Sequence, residues 1–232
     1  MTYFIAELGA NIFPYSRSRS ARFVEAAAEA GADAVKVQLF RAGHFPNEER
    51  AEKMAHEFPR SEFARFVQEA RRLELSAGAS VFDKDAIRIC DDTGADFVKL
   101  ATREEANRPL REHCRHNFHR TIIRSIRARW PTKPLPARWP REITLGCIPD
   151  YPADEEIALR FLRQMTPAFH EPWGWSSHTA GHDDCAEAVR RGASVIEKHI
   201  KLAGADVGEQ AEANWSLFPR DFARMVEECR GL

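Results

Sequence analysis

The chain has 232 residues, enough for one large domain or two small ones and for a sizeable buried core. Its 34 basic and 35 acidic side chains leave a formal net charge of −1, which argues against nucleic acid or an anionic membrane as the main partner. The opening MTYFIAELGAN lacks a basic segment leading into an apolar one, and no apolar run approaches the roughly 20 residues of a membrane span. The expected location is therefore the cytoplasm, with no membrane partner. Five scattered cysteines (Cys90, Cys114, Cys147, Cys185 and Cys229) without a CxxC pair agree with a reducing compartment.

Taken in chain order, eight short runs read as buried strands: Phe4–Leu8, Ala34–Phe40, Ser76–Phe82, Phe97–Ala101, Thr121–Ile126, Ile143–Ile148, Gly174–Ser177 and Ser194–Ile200. Helical patterns such as SARFVEAAAEA, SEFARFVQEARRL, DEEIALRFLRQM and PRDFARMVEEC separate most of them. Three junctions resemble one another: AEAGADAVKVQ, DDTGADFVKLA and RRGASVIEKHI. In each, a helical pattern ends at a glycine (Gly31, Gly94, Gly192), the residue that takes positive φ at low cost, and a β-branched run follows. Alternating helices and buried strands predict a parallel sheet. Eight such units over residues 1–232 predict a single-domain (β/α)8 barrel, with an open doubly wound sheet as the alternative. After the fifth strand comes RARWPTKPLPARWPRE, whose four prolines forbid a regular helix. An irregular segment is expected there, with Trp130 and Trp139 covering the barrel.

Lys36, Lys99 and Glu197 each lie five residues past a junction glycine, so the alternation of strand side chains gives them one orientation. His199 shares the face of Glu197, and Gln38 that of Lys36. If those faces point inward, two lysines, a glutamate and a histidine meet at the C-terminal mouth, where barrels of this kind carry their active sites. Glu7, Ser80, Thr102, Glu104, Tyr151, Ser176 and His178 all sit at or just past strand ends. The lysines fit an anion site, and His178 with His199 fits a divalent metal with open positions. Read singly, each lysine is a solvated surface group, His178 a loop residue and His199 a core residue. His113, His116 and His119 read as surface, His182 as a helix start and Cys147 as packing.

The ordered set IAELGAN, GADAVKVQLF, SVFD, VKLATREEANRPL, CIPDYPA, GWSSHTAG, GASVIEKHI and SLFPRDFARMV resembles the catalytic barrel of the N-acetylneuraminate (sialic acid) synthase family. The resemblance spans nearly the whole chain. It implies condensation of phosphoenolpyruvate with an N-acyl amino sugar, release of phosphate, and a divalent metal, Mn2+ first, with Mg2+ or Co2+ as alternatives. It implies His178 and His199 as metal ligands. Lys36, Ser80, Lys99, Thr102, Tyr151 and Ser176 are implied as holding phosphoenolpyruvate, Glu104 as acid–base group and Glu7 as a glutamate on the sugar side, with Glu197 beside the metal ligands.

The chain departs from that pattern in places. Ile12 stands where the family has a sugar-side histidine, Pro149 where it has an asparagine, and Gln210 where it has an aspartate. The family's C-terminal antifreeze-like domain, which caps a partner's site, is not found in these residues. The mouth is therefore expected to be covered by the loop RAGHFPNEERAEKMAHEFP, by a second copy of the chain or by a separate capping protein. Three readings stand at this point: a phosphoenolpyruvate-dependent sugar-acid synthase, a barrel that binds a ligand or partner without turnover, and a Schiff-base aldolase using Lys99 or Lys198.

Overall fold

The computed structural model describes residues 1–128, 141–164, 172–204 and 210–232. Eight parallel strands pair in chain order: β1 (Tyr3–Glu7), β2 (Ala34–Leu39), β3 (Ser76–Val81), β4 (Phe97–Leu100), β5 (Thr121–Arg127), β6 (Glu142–Cys147), β7 (Trp173–Ser177) and β8 (Val195–Ile200). β1 also pairs with β8, which closes the barrel. A two-residue strand, β9 (Ser216–Leu217), adds to β8 through His199 and Ile200. The expected (β/α)8 barrel is borne out, strand by strand to within a residue or so. The Pro-rich segment, with Trp130 and Trp139, lies outside the described residues. No described helix is long and apolar enough to cross a membrane.

Around the barrel run α1 (Arg17–Glu29), α2 (Asn47–Ala55), α3 (Phe63–Arg72), α4 (Lys84–Asp92), α5 (Arg108–Asn117), α6 (Glu155–Gln164), α7 (Asp183–Arg190) and α8 (Pro219–Arg230). α1, α3 and α4 show local reasons for where a helix starts or docks. Ser16 accepts from Arg19 N to cap α1, and Asp83 accepts from Ala86 N to cap α4. α3 buries Phe63, Phe66, Val67 and Ala70, one stripe at helical spacing. Gly31, Gly94 and Gly192 take φ of 76°, 75° and 89°, the left-handed exits expected at the three repeated junctions.

The barrel interior is layered. Ile5, Ala34, Phe97, Ile123, Leu145 and Val195 form an apolar plug of their own. Two residues further along each strand, on the same face, come Glu7, Lys36, Lys99, Ser125, Cys147 and Glu197, all buried. The plug seals the N-terminal end, and the polar layer rests on it facing the mouth.

Behind β7 and β8, outside the barrel wall, lies a second buried polar set. Asp184 accepts from Trp175 Nε1 at 2.8 Å and from the hydroxyls of Ser177 and Thr179 at 3.0 Å each. Lys198, fully buried, donates to Ser177 Oγ at 3.0 Å and to the Thr179 carbonyl. This network fixes the end of β7 and the turn that follows. Asp184→Ala removes the acceptor of the buried Trp175 Nε1 and of the Ser177 hydroxyl, at about 1–3 kcal/mol for each buried group left unpaired, and should cost about 2–5 kcal/mol of unfolding free energy, measured from urea denaturation curves. A loss below about 1 kcal/mol, the worth of one ordinary hydrogen bond, would show that the network does not brace the barrel.

Candidate active site

A cavity of about 520 Å³ opens at the C-terminal ends of the strands. Glu7, Lys36, Ser80, Lys99, Thr102, Tyr151, His178, Glu197 and His199 line it. At its floor Glu197 lies between two lysines. Its Oε1 pairs with Lys99 Nζ and accepts from Ser176 Oγ at 3.0 Å, and its Oε2 is 3.7 Å from Lys36 Nζ. Lys36 also touches Glu7 and donates to Ser80 Oγ at 2.8 Å; Lys99 donates to Ser176 Oγ at 3.2 Å. Burial pushes the Glu197 carboxyl up, but Lys36 and Lys99 outweigh it and hold the group well below the usual carboxylate range. Burial pushes the Lys36 ammonium down to about 7, with Glu197 opposing the shift and Lys99 adding to it.

Above this floor the rings of His178 and His199 lie 5.5 Å apart, centroid to centroid. Each has its Nδ1 occupied: that of His178 lies 3.0 Å from the Ile148 carbonyl, and that of His199 is 3.0 Å from Glu212 Oε2. Among the described residues neither Nε2 has a hydrogen-bond partner, the arrangement in which a second partner fixes the ring of a metal-bound imidazole. Burial, reinforced by His199, pushes His178 well below its ordinary range, and a neutral imidazole is the form that binds metal. Among the described residues no third His, Cys, Asp or Glu completes a ligand group. Two imidazoles are fewer ligands than a closed metal site uses, so an ion held there would leave its other positions to water or substrate.

Glu212 carries no motif in the sequence and was not singled out there, yet it organises this half of the site. Its carboxylate accepts from Ala10 N at 2.8 Å as well as reaching His199. Its own N donates to Asn11 Oδ1 at 2.8 Å, while Asn11 Nδ2 holds Ile200 O and Ser216 Oγ at 3.0 and 2.8 Å. Gly9, at φ 48°, makes room: a side chain there would collide with the Glu212 carboxylate. The signal available in sequence was an acid in the loop after the last strand, which nothing local distinguishes.

The mouth is partly covered by the stretch that follows β2. Glu52, Lys53 and His56 of that stretch line the cavity, and Glu49 of α2 pairs with Arg103 at 3.2 Å. Phe45 is packed edge-on to Phe40, with ring centroids 5.0 Å apart, and touches Phe82 at 5.6 Å. Phe58 anchors the far end against Phe66 and Tyr15. Tyr151 lays its ring 4.4 Å from His178, and Trp215 sits against Tyr151 at 5.4 Å.

Two expected residues stand apart from the cavity lining. Ser176 lies beneath it and acts through Glu197 and Lys99. Glu104 is half-buried beside the mouth, where its Oε2 accepts from Asn107 Nδ2 at 2.7 Å. Cys147, expected to pack, is buried but also faces the cavity, 3.5 Å from His178 Nδ1. Of the departures, Ile12 is fully buried in the core and Pro149 lines the cavity. Gln210 exchanges two hydrogen bonds with the Leu202 backbone, at 2.8 and 2.9 Å. Lys198 points away from the cavity into the network behind β8, so it has no access to a carbonyl substrate.

The sequence profile of the NeuB family matches residues 23–129 and 135–232. The chain is 28% identical over 256 residues to an N,N'-diacetyllegionaminic acid synthase of Legionella pneumophila, covering 98% of this chain and 71% of that one. It is 26% identical over 254 residues to a human N-acetylneuraminate-9-phosphate synthase, covering 98% and 69%. The fold is similar to that of an N-acetylneuraminic acid synthetase of Leptospira borgpetersenii solved with citrate, with a TM-score of 0.84 at 23% identity over 99% of this chain and 83% of that one. An enzyme of the sialic acid synthase type, expected from the ordered motifs, is borne out at the level of the family, and the chain belongs to the NeuB family.

Proposed function

We propose that the barrel, read as one catalytic domain over residues 1–232, condenses phosphoenolpyruvate with an N-acyl amino sugar in its open-chain aldehyde form, giving a nonulosonic acid and inorganic phosphate. The observation that carries this reading is a single cavity with two lysines on its floor and two Nε2-free imidazoles above them. Membership of a family whose relatives named above are synthases of such acids supports it. The reducing cytoplasm remains the proposed setting, and all five cysteines are buried free thiols.

The residues divide the work. Lys36, Lys99, Ser80, Ser176 and Thr102 bind and orient phosphoenolpyruvate, charge-assisted donors in a site largely shielded from water. The enol carbon forms the new bond to the aldehyde carbon. A water adds to the neighbouring carbon, and the C–O bond to phosphate breaks. Glu104 is proposed to take one proton of that water and pass it to the former aldehyde oxygen, while the second proton leaves with the phosphate; for this it exchanges Asn107 for the water when substrates arrive, since hydrogen bonds of the free state need not persist in the complex. Glu7 faces the sugar side. A divalent ion held by His178 and His199, proposed as Mn2+ with Mg2+ or Co2+ as alternatives, supplies Lewis acidity toward the aldehyde oxygen. The residues after β2, together with a second copy or a capping protein, limit other water.

Phosphate release, measured with phosphoenolpyruvate, Mn2+ and a panel of N-acyl amino sugars, tests the reading. Release should require both substrates. A second reading, binding without turnover, is favoured by the bond between Glu104 and Asn107. Tight phosphoenolpyruvate binding with no release from any sugar would select it.

The two imidazoles make a separate prediction. His178→Ala and His199→Ala should each fold yet lose bound manganese on dialysis, read by elemental analysis. Retention of metal in both variants would rule out the assignment.

Lys36 gives the site a pH dependence. With its ammonium lowered to about 7, it is charged below that pH and loses its proton above it. A bound anion raises it again, so binding above neutrality must take up a proton. The phosphate has finished titrating by then, with its second pKa near about 6. Phosphoenolpyruvate affinity should therefore fall as pH rises above about 7, by up to about tenfold per pH unit. Calorimetry in buffers of different ionisation enthalpy measures both affinity and proton uptake. A flat affinity from about pH 7 to about pH 9 would remove Lys36 as the titrating group.

A further inference from the structure

The cavity floor is short of positive charge for the ligand proposed for it. Its four charged side chains, Lys36, Lys99, Glu7 and Glu197, sum to zero, and Glu212 adds a negative charge beside His199. A divalent ion on the imidazoles would bring the total to +1. Phosphoenolpyruvate brings a phosphate of about −1.5 to −2 and a carboxylate. At least one further cation has to face it.

The strand pattern says where to look. Two positions beyond the polar layer comes a third inward-facing layer, at the mouth: Gln38, Ala101, Arg127, Pro149, His178 and His199, all of which line the cavity. Arg127 is the cation of that layer whose role is unassigned. It ends β5 on the face of Ile123 and Ser125, and it is in register with Cys147, the neighbour of His178. Its backbone N is held by Glu105 Oε2 at 3.1 Å. Its guanidinium has no hydrogen-bond or ion-pair partner among the described residues. The other mouth cations are committed: Arg103 is paired with Glu49, and Lys53 is 3.3 Å from Glu52 and lies over the Phe45 ring.

We infer that Arg127 is a substrate-binding residue that holds an anionic group of phosphoenolpyruvate, so that strand five supplies the third cation of the anion site; the inference rests on the reading of the cavity given above. A guanidinium presents a planar fork that matches carboxylate or phosphate two-fold. From the end of β5 it faces the ligand from the side opposite β1 and β8, where Glu7, Glu197 and Glu212 gather. The exposed position keeps it solvated until the anion arrives.

The test is calorimetric titration of the manganese-loaded full chain with phosphoenolpyruvate, comparing the parent protein, Arg127→Met and Arg127→Lys. Hydrogen bonds to charged groups contribute about 1.5–3 kcal/mol, so the methionine variant should bind about tenfold to a hundredfold more weakly. The lysine variant should recover part of that loss, and both should keep the parent's urea midpoint. Inorganic phosphate serves as a second probe. Weakening of both ligands assigns Arg127 to the phosphate, and weakening of phosphoenolpyruvate alone assigns it to the carboxylate; either supports the inference. Equal phosphoenolpyruvate affinity in the parent and Arg127→Met overturns it while leaving the reading of the site intact. Absence of phosphoenolpyruvate binding in the parent removes the reading and the inference together.

Discussion

Everything in this molecule is arranged around a carboxylate, Glu197, buried between two ammonium groups. Taking such charges out of water costs several kcal/mol per ion, and mutual attraction offsets that only where geometry and further hydrogen bonds are good. The barrel meets the condition with strands. Lys36, Lys99 and Glu197 each stand two residues above an apolar plug residue; Ser80 accepts from Lys36 and Ser176 donates to Glu197 Oε1, while among the described residues Glu197 Oε2 has only Lys36 at 3.7 Å. The lysines are thus held in place before any substrate is present. Under the proposed function an incoming anion would not order them; it would take them over from Glu197 and Glu7. That substitution of one anion for another is a sound way to keep an anion site rigid and dry at once.

The second constraint is the aim of the imidazoles. A histidine ring can turn, and an ion held by only two of them, as proposed, would need both rings fixed. His178 is fixed by the Ile148 carbonyl, the backbone next to β6, and His199 by Glu212, from the loop after β8. Glu212 is in turn held by Ala10 and Asn11, from the loop after β1. Since β1 and β8 are the strands whose pairing closes the barrel, the closure of the fold and the aim of His199 depend on one another.

The repeated Gly-plus-five spacing made the barrel and its polar layer legible, because strand parity is a local property that survives folding unchanged. Lys36, Lys99, Glu197 and His199 follow from it directly. The covering helix α2 was read as loop: it buries none of its residues, so it lacks the apolar stripe that marks a helix in sequence. Glu212 and Arg127 were passed over for different reasons. Glu212 works through contacts to residues about 200 positions away, which no local pattern encodes. Arg127 lies at the start of the Pro-rich stretch, where the irregular composition masked the fact that it continues the parity of Ile123 and Ser125.

The departures from the family pattern make sense once placed. Ile12 is fully buried in the core and does not line the cavity. Gln210 braces the Leu202 backbone at the exit of β8, and the carboxylate that this loop delivers to the site comes two residues later, from Glu212. The anion floor and the imidazoles are carried by strands and by the loops that close the barrel. The part of the lining proposed to face the acceptor, Glu52, Lys53 and His56 with Phe40, Phe45 and Phe82, lies mostly on the stretch after β2. That stretch is tied down by the exposed pair of Glu49 with Arg103 and by aromatic contacts, and exposed pairs contribute little. Substitutions there change what lies over the floor without disturbing Glu197 and its lysines. Under the proposed function, a fold arranged in this way could change its acceptor while keeping its anion floor, with Glu7, which touches Lys36, as the residue the two halves share.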